Sequence, residues 1–166
     1  FIKETSSRWN SFTKGNEIQY TTVPKEQANS VIMSKKPLTL YPEITDNYHH
    51  MFMVESGFVY SGFDMMNPLF GNNGDPVHDE KNKALRCAIR KGFNWDQRNR
   101  AFYFGLGTVF PGVITPNVIE YDANLSQESV ELDIEGAKQL LSDAGWDEKN
   151  LPPLEYHTSG NVTNRL

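Results

Sequence analysis

Between Gly57 and Trp146, short apolar runs alternate with turn-forming residues, and this punctuation constrains the fold more than any other feature. Ser61-Gly62-Phe63-Asp64 is followed by Asn67-Pro68-Leu69-Phe70-Gly71, then by Ala84-Leu85-Arg86-Cys87-Ala88-Ile89-Arg90. Gly105-Leu106-Gly107-Thr108 and Pro111-Gly112-Val113-Ile114-Thr115-Pro116 come next, and the helix-like stretch Ala137–Ala144 ends the region at Gly145-Trp146. Gly and Pro at these spacings stop each element before it grows long. Strands alternating with short helices fit a mixed α/β domain. No run of about 18 apolar residues exists, so no helical membrane span is written into the chain.

Local patterns divide the remainder. Ser6 or Ser7 can cap a helix carrying Trp9 and Phe12, with Gly15 at its end. Glu17 to Val23 alternates as a strand does. Pro24 suits the first position of a helix reaching Met33. Lys35 to Asp46 reads as irregular, broken by Pro37 and Pro42. His50, Phe52 and Val54 alternate with His49, Met51 and Met53, Ser56-Gly57 can turn the chain, and Phe58 to Met65 reads as a second, antiparallel strand. Asp79 is the expected cap of a helix with Leu85, Ala88 and Ile89 inward, ended by Gly92. Asn94 can cap a helix through Phe104, and Asp133 one carrying Ala137, Leu140, Leu141 and Ala144. Leu154 to Thr158 reads as a strand, and Thr163–Leu166 as the first turn of another element.

The chemistry-bearing residues give no catalytic or metal constellation. A net charge of −5 provides no basic footprint for nucleic acid. The single cysteine, Cys87, excludes an intramolecular disulfide and reads as a buried thiol beside an apolar helix face. His49 and His50 point to opposite faces if the segment is a strand, so one is expected at the surface and one packed. His78 and His157 add imidazoles, but no metal-ligand spacing links them. Asp79 and Asp133 are read as helix caps, not as an acid–base pair. Gly105-Leu106-Gly107 lacks the rest of a phosphate loop and reads as a turn after a helix. The sequons at Asn124 and Asn161 are matches of a frequent kind. Tyr48, Phe52, Phe58, Tyr60 and Phe63 are mostly expected in a core, yet alternation sends Phe58 and Tyr60 to one face, which can line a cleft.

Taken together, these segments resemble the family 5 extracellular solute-binding proteins, the peptide-binding subunits of ABC importers, over about residues 57–157. Leu85-Arg86-Cys87-Ala88-Ile89 is similar to the family's Leu-Arg-x-Ala-Ile, and Ala144-Gly145-Trp146 to its Ala-Gly-Tyr. Gly112-Val113-Ile114-Thr115-Pro116 resembles its Gly-x-Ile-Pro-Pro, with Thr115 in place of a proline, and Phe63-Asp64 stands where the family usually has Phe-Asn. The resemblance implies an α/β fold, part of a type II periplasmic-binding-protein-like lobe with a mixed sheet and short helices. Family members are longer and two-lobed, so residues 1–166 read as a single partial domain, a fragment of the second lobe. The chain begins at Phe1 with no visible signal peptide. The implied function is capture of a peptide or small-solute ligand for an ABC permease, in a periplasmic or extracellular setting, by a protein that is a monomer when full length. No enzyme activity, cofactor, metal or nucleic acid is implied. Tyr60, Ser61 and Gly62, on the strand nearest the cleft in the family, are the expected ligand contacts. A metal chelate as cargo, or an enzyme acting on peptides or cell-wall fragments, are the alternatives.

Overall fold

The computed structural model of the protein describes residues 2–15 and 18–158. Its contacts divide the chain into two units, Phe1–Met53 with Arg98–Thr108, and Val54–Gln97 with Val109–Leu166. The Asn161 sequon and the expected turn at Thr163–Leu166 lie outside the described residues.

In the first unit, helix α1 spans Thr5–Thr13. Glu4, not Ser6 or Ser7, is its cap: the carboxylate accepts from the Ser6 and Ser7 amides. Trp9 and Phe12 do share a face, with ring centroids 6.1 Å apart, and Tyr48 lies 5.1 Å from Phe12. The helix expected from Pro24 to Met33 is shorter. A 3-10 turn at Lys25–Gln27 leads into α2, Ala28–Val31, and Met33 already belongs to strand β1, Ile32–Lys35. The β-branched pair Val31-Ile32 favours that switch. Residues 35–46 are likewise more regular than expected. Strand β2, Leu38–Leu40, pairs antiparallel with β1, and helix α3, Pro42–Thr45, uses Pro42 as its first residue and not as a breaker. Ala28 and Val31 are buried here.

In the second unit, helix α4 runs Pro76–Gly92. Its cap is Asp75, whose carboxylate accepts the Val77 amide at 3.0 Å, while Pro76 fills a position where a missing N–H costs nothing. The expected cap, Asp79, lies inside the first turn. Helix α5, Trp95–Tyr103, starts in this unit and belongs to the first from Arg98 onward, with the Asn94 side chain accepting from Gln97 at 2.8 Å as a cap does. Helix α6, Ile134–Asp143, starts at Asp133 as expected: its carboxylate accepts the Gly136 amide at 2.7 Å. Gly145, at φ +69, then turns the chain out of the helix.

Helices α4 and α6 pack antiparallel over Leu85, Ala88 and Ala137, all buried. At one end the Asp133 amide donates to the Lys91 carbonyl at 2.9 Å, and the Lys91 ammonium lies 3.0 Å from the Asp133 carboxylate. At the other, the Trp146 indole N–H donates to the Lys81 carbonyl at 3.0 Å, and the Lys81 ammonium stands 4.2 Å from the indole centroid.

The expected strands at 50–54, 58–65 and 154–158 do not form, nor does one among the described part of 17–23. Residues 48–64 carry no regular secondary structure. Alternating side chains set which face a strand would present, but a strand exists only when a neighbour completes its ladder. Among the described residues the one ladder is β1–β2, so the architecture is helices with a small antiparallel sheet, compatible with α/β. No helix among them is long and apolar enough to cross a membrane.

Replacing Leu85 by Ala should cost about 2–5 kcal/mol, read from urea unfolding, because a fully enclosed side chain leaves a cavity. Acid should weaken the α4–α6 brace. The Asp133 carboxyl is held below the ordinary carboxylate range, first by the Gly136 amide and then by Lys91. Such a group contributes stability that is fully present above its unfolded value and is lost as pH falls through its folded one. Unfolding midpoints should therefore drop below about pH 4, and Asp133→Asn should remove part of that drop.

Candidate functional site

Residues 56–64, in the second unit, carry no regular secondary structure, and their side chains, not a ladder, contact the rest of the unit. The Asn117 side-chain amide donates to the Ser56 hydroxyl at 2.9 Å. Phe58 lies 5.7 Å from Tyr60 and meets Phe110 edge-on at 6.4 Å, and Phe110 meets Tyr121 edge-on at 6.4 Å. Four rings thus form a row with Tyr60 at its open end, 73% exposed. Ser61 and Gly62 are exposed beside it, and a Cβ on Gly62 would stand 3.7 Å from the Tyr60 ring. The structure therefore places the three expected contact residues together on an accessible aromatic edge. Such an edge offers ring faces and edges to apolar or aromatic groups without demanding one exact shape.

Behind this segment sits a loop, residues 64–74, fastened to α4. Phe63 and Phe70 are 5.2 Å apart, linking segment to loop. Asn82, buried on α4, donates from its amide nitrogen to the carbonyls of Pro68 at 2.7 Å and Gly71 at 2.9 Å. The Arg86 guanidinium donates to the Phe70 carbonyl. The Asp79 carboxylate accepts the amides of Asn73 at 2.8 Å and Gly74 at 3.2 Å. That role replaces the helix cap expected for Asp79, and the Asn73 amide is the first cause of its carboxyl lying below the ordinary range. Gly71 is buried, and a Cβ there would collide with the Met65 carbonyl oxygen. None of this was legible as function in the sequence. The one available signal was Asn82, a polar residue close in sequence to the inward Leu85.

The other candidates resolve more simply. His49 and His50 are both exposed, against the expectation of one packed, because no ladder assigns them to opposite faces. His157 is exposed and lies 3.3 Å from Glu155. His78 sits 3.1 Å from the Pro68 carbonyl and 3.2 Å from Asp79. No group of three or more possible metal ligands occurs among the described residues. Cys87 is half-buried where burial was expected. Gly105-Leu106-Gly107 is a turn after α5, closed by Asn99, which donates to the Gly107 carbonyl at 2.8 Å and accepts its amide at 3.1 Å. Two grooves of about 520 and 500 Å³ lie elsewhere, the first lined by Arg8 and Ile18–Thr22, the second by Asn94–Asp96 and Val130–Leu132.

The family model for bacterial extracellular solute-binding proteins, family 5 Middle, matches residues 1–165, and the chain belongs to that family. Comparison with curated proteins and with solved structures gives no match. Family membership makes solute binding the chain's role.

Gly71→Ala should destabilise by about 1–3 kcal/mol, the usual cost of forcing an atom into a packed site. Thermal unfolding checks this, and an unchanged midpoint would show that the Met65 carbonyl yields freely.

Proposed function

We propose that the chain is the substrate-binding component of an ABC importer, capturing peptides or similar solutes for delivery to a membrane permease. The observation that carries the reading is the family match along nearly the whole chain, residues 1–165. It is supported by the accessible aromatic edge around Tyr60, which suits a site that accepts varied side chains. In this reading residues 1–166 form part of the second lobe of a two-lobed, type II binding protein with a mixed sheet, which acts as a monomer in the periplasm or outside the cell. Tyr60, Ser61 and Gly62 contact the solute. Tyr60 supplies a ring face, and the bare backbone at Gly62 lets a peptide main chain approach closely. Transport then follows from a population shift: the ligand favours the closed arrangement of two lobes because only that arrangement gives it both sets of contacts. No catalytic step is part of this cycle.

The test is native mass spectrometry of the full-length two-lobed protein purified without denaturation. A spread of co-purified peptide masses is expected, and Tyr60→Ala should weaken peptide binding about three- to tenfold, the worth of one aromatic contact. A single discrete mass, or a metal complex, would replace peptides by one specific solute as cargo.

A further inference from the structure

Along α4, His78, Asn82 and Arg86 recur every fourth residue and share one face, with Asp79 one step round from His78. Together with Asp79 they meet the backbone of loop 64–74 at Pro68, Phe70, Gly71, Asn73 and Gly74. Met65 and Met66 are exposed, Met66 to 91%, Leu69 and Phe70 are half-buried, and Gly71 is buried. Hydrogen bonds from α4 fix the loop backbone, and the Phe70 ring adds its contact with Phe63. The Asn82 bond to Gly71 is buried and those of Asn82 to Pro68 and Arg86 to Phe70 are part-buried, where a satisfied hydrogen bond holds its partner more firmly than one in water.

From the loop a short chain of contacts leads to the exposed edge. Arg86 and Asn82 fix the backbone at Phe70 and Gly71. The Phe70 ring meets Phe63. Phe63 follows Gly62 directly, and a Cβ at Gly62 would stand 3.7 Å from the Tyr60 ring. We infer that Asn82 and Arg86 are positioning residues for solute recognition: by holding loop 64–74 on α4 they set where Tyr60, Ser61 and Gly62 stand. This rests on the reading of those three residues as solute contacts. Losing the clamp opens the loop locally and leaves the α4–α6 core folded, since Leu85 and Ala88 face a different neighbour.

The experiment places 3-fluorotyrosine at position 60 and follows its ¹⁹F resonance. Asn82→Ala and Arg86→Ala should shift or broaden it, Arg86→Lys should restore it in part, and Lys81→Ala, which disturbs only the α4–α6 end, should leave it in place. Should Asn82→Ala fail to fold, Asn82→Asp keeps the shape, removes both donors and should move the resonance equally. A resonance unmoved by Asn82 and Arg86 substitutions, or moved as much by Lys81→Ala, overturns the inference. Titration of the labelled wild-type protein with trialanine separates the two levels. A saturable shift supports Tyr60 as a solute contact. No shift at millimolar peptide, alongside the expected response to Asn82→Ala, removes the recognition role and leaves only a loop clamp.

Discussion

Lys81 and Lys91 tie the two ends of α4 to the two ends of α6, and the second unit is built on that brace. Each lysine acts twice. The Lys91 carbonyl takes the first amide before α6 while its ammonium pairs with the cap of the same helix. The Lys81 carbonyl takes the Trp146 indole while its ammonium lies over the ring. The buried contact between the helices is small, centred on Leu85, Ala88 and Ala137. Leucine against alanine allows close approach but little area, so directional bonds at both ends define the register that apolar burial alone would leave loose. The Lys91 side chain is only 16% exposed, so its pair with Asp133 is shielded more than a surface ion pair is.

With one face committed to α6, α4 uses another for the loop that precedes it. Apolar contact fixes one neighbour and hydrogen bonds fix the other. The division has a dynamic consequence. Regions held by few apolar contacts open at lower free energy than the core does. Were those hydrogen bonds lost, loop 64–74 would open at lower free energy than the α4–α6 contact.

Helices were legible in the sequence where local chemistry is sufficient. Asp133, Gly145 and the apolar spacing between them specify α6 completely, since caps and period are all such an element needs. Asn94 worked for the same reason. Asp79 misled because Asp75-Pro76, a few residues earlier, satisfies the helix start better and frees Asp79 for the loop. Strands failed for a different reason. The alternation at His49–Val54 and Phe58–Met65 is real, but pairing is a property of two segments, and none of the ladders expected there forms among the described residues. Alternation singled out Phe58 and Tyr60, and the family resemblance singled out Tyr60, Ser61 and Gly62, although the strand assumed there does not form. The support of that segment was not legible, because the fourfold spacing of His78, Asn82 and Arg86 does not say which backbone carbonyls, such as Pro68 and Gly71, they bond.

The most direct test of the account is photo-crosslinking with a tripeptide carrying benzoylphenylalanine, mapped by peptide mass spectrometry. If the aromatic edge receives the solute, adducts should concentrate at residues 58–62 and fall when unlabelled tripeptide competes. Adducts confined to either groove, at Ile18–Thr22 or at Asn94–Asp96, or spread without competition, would contradict it.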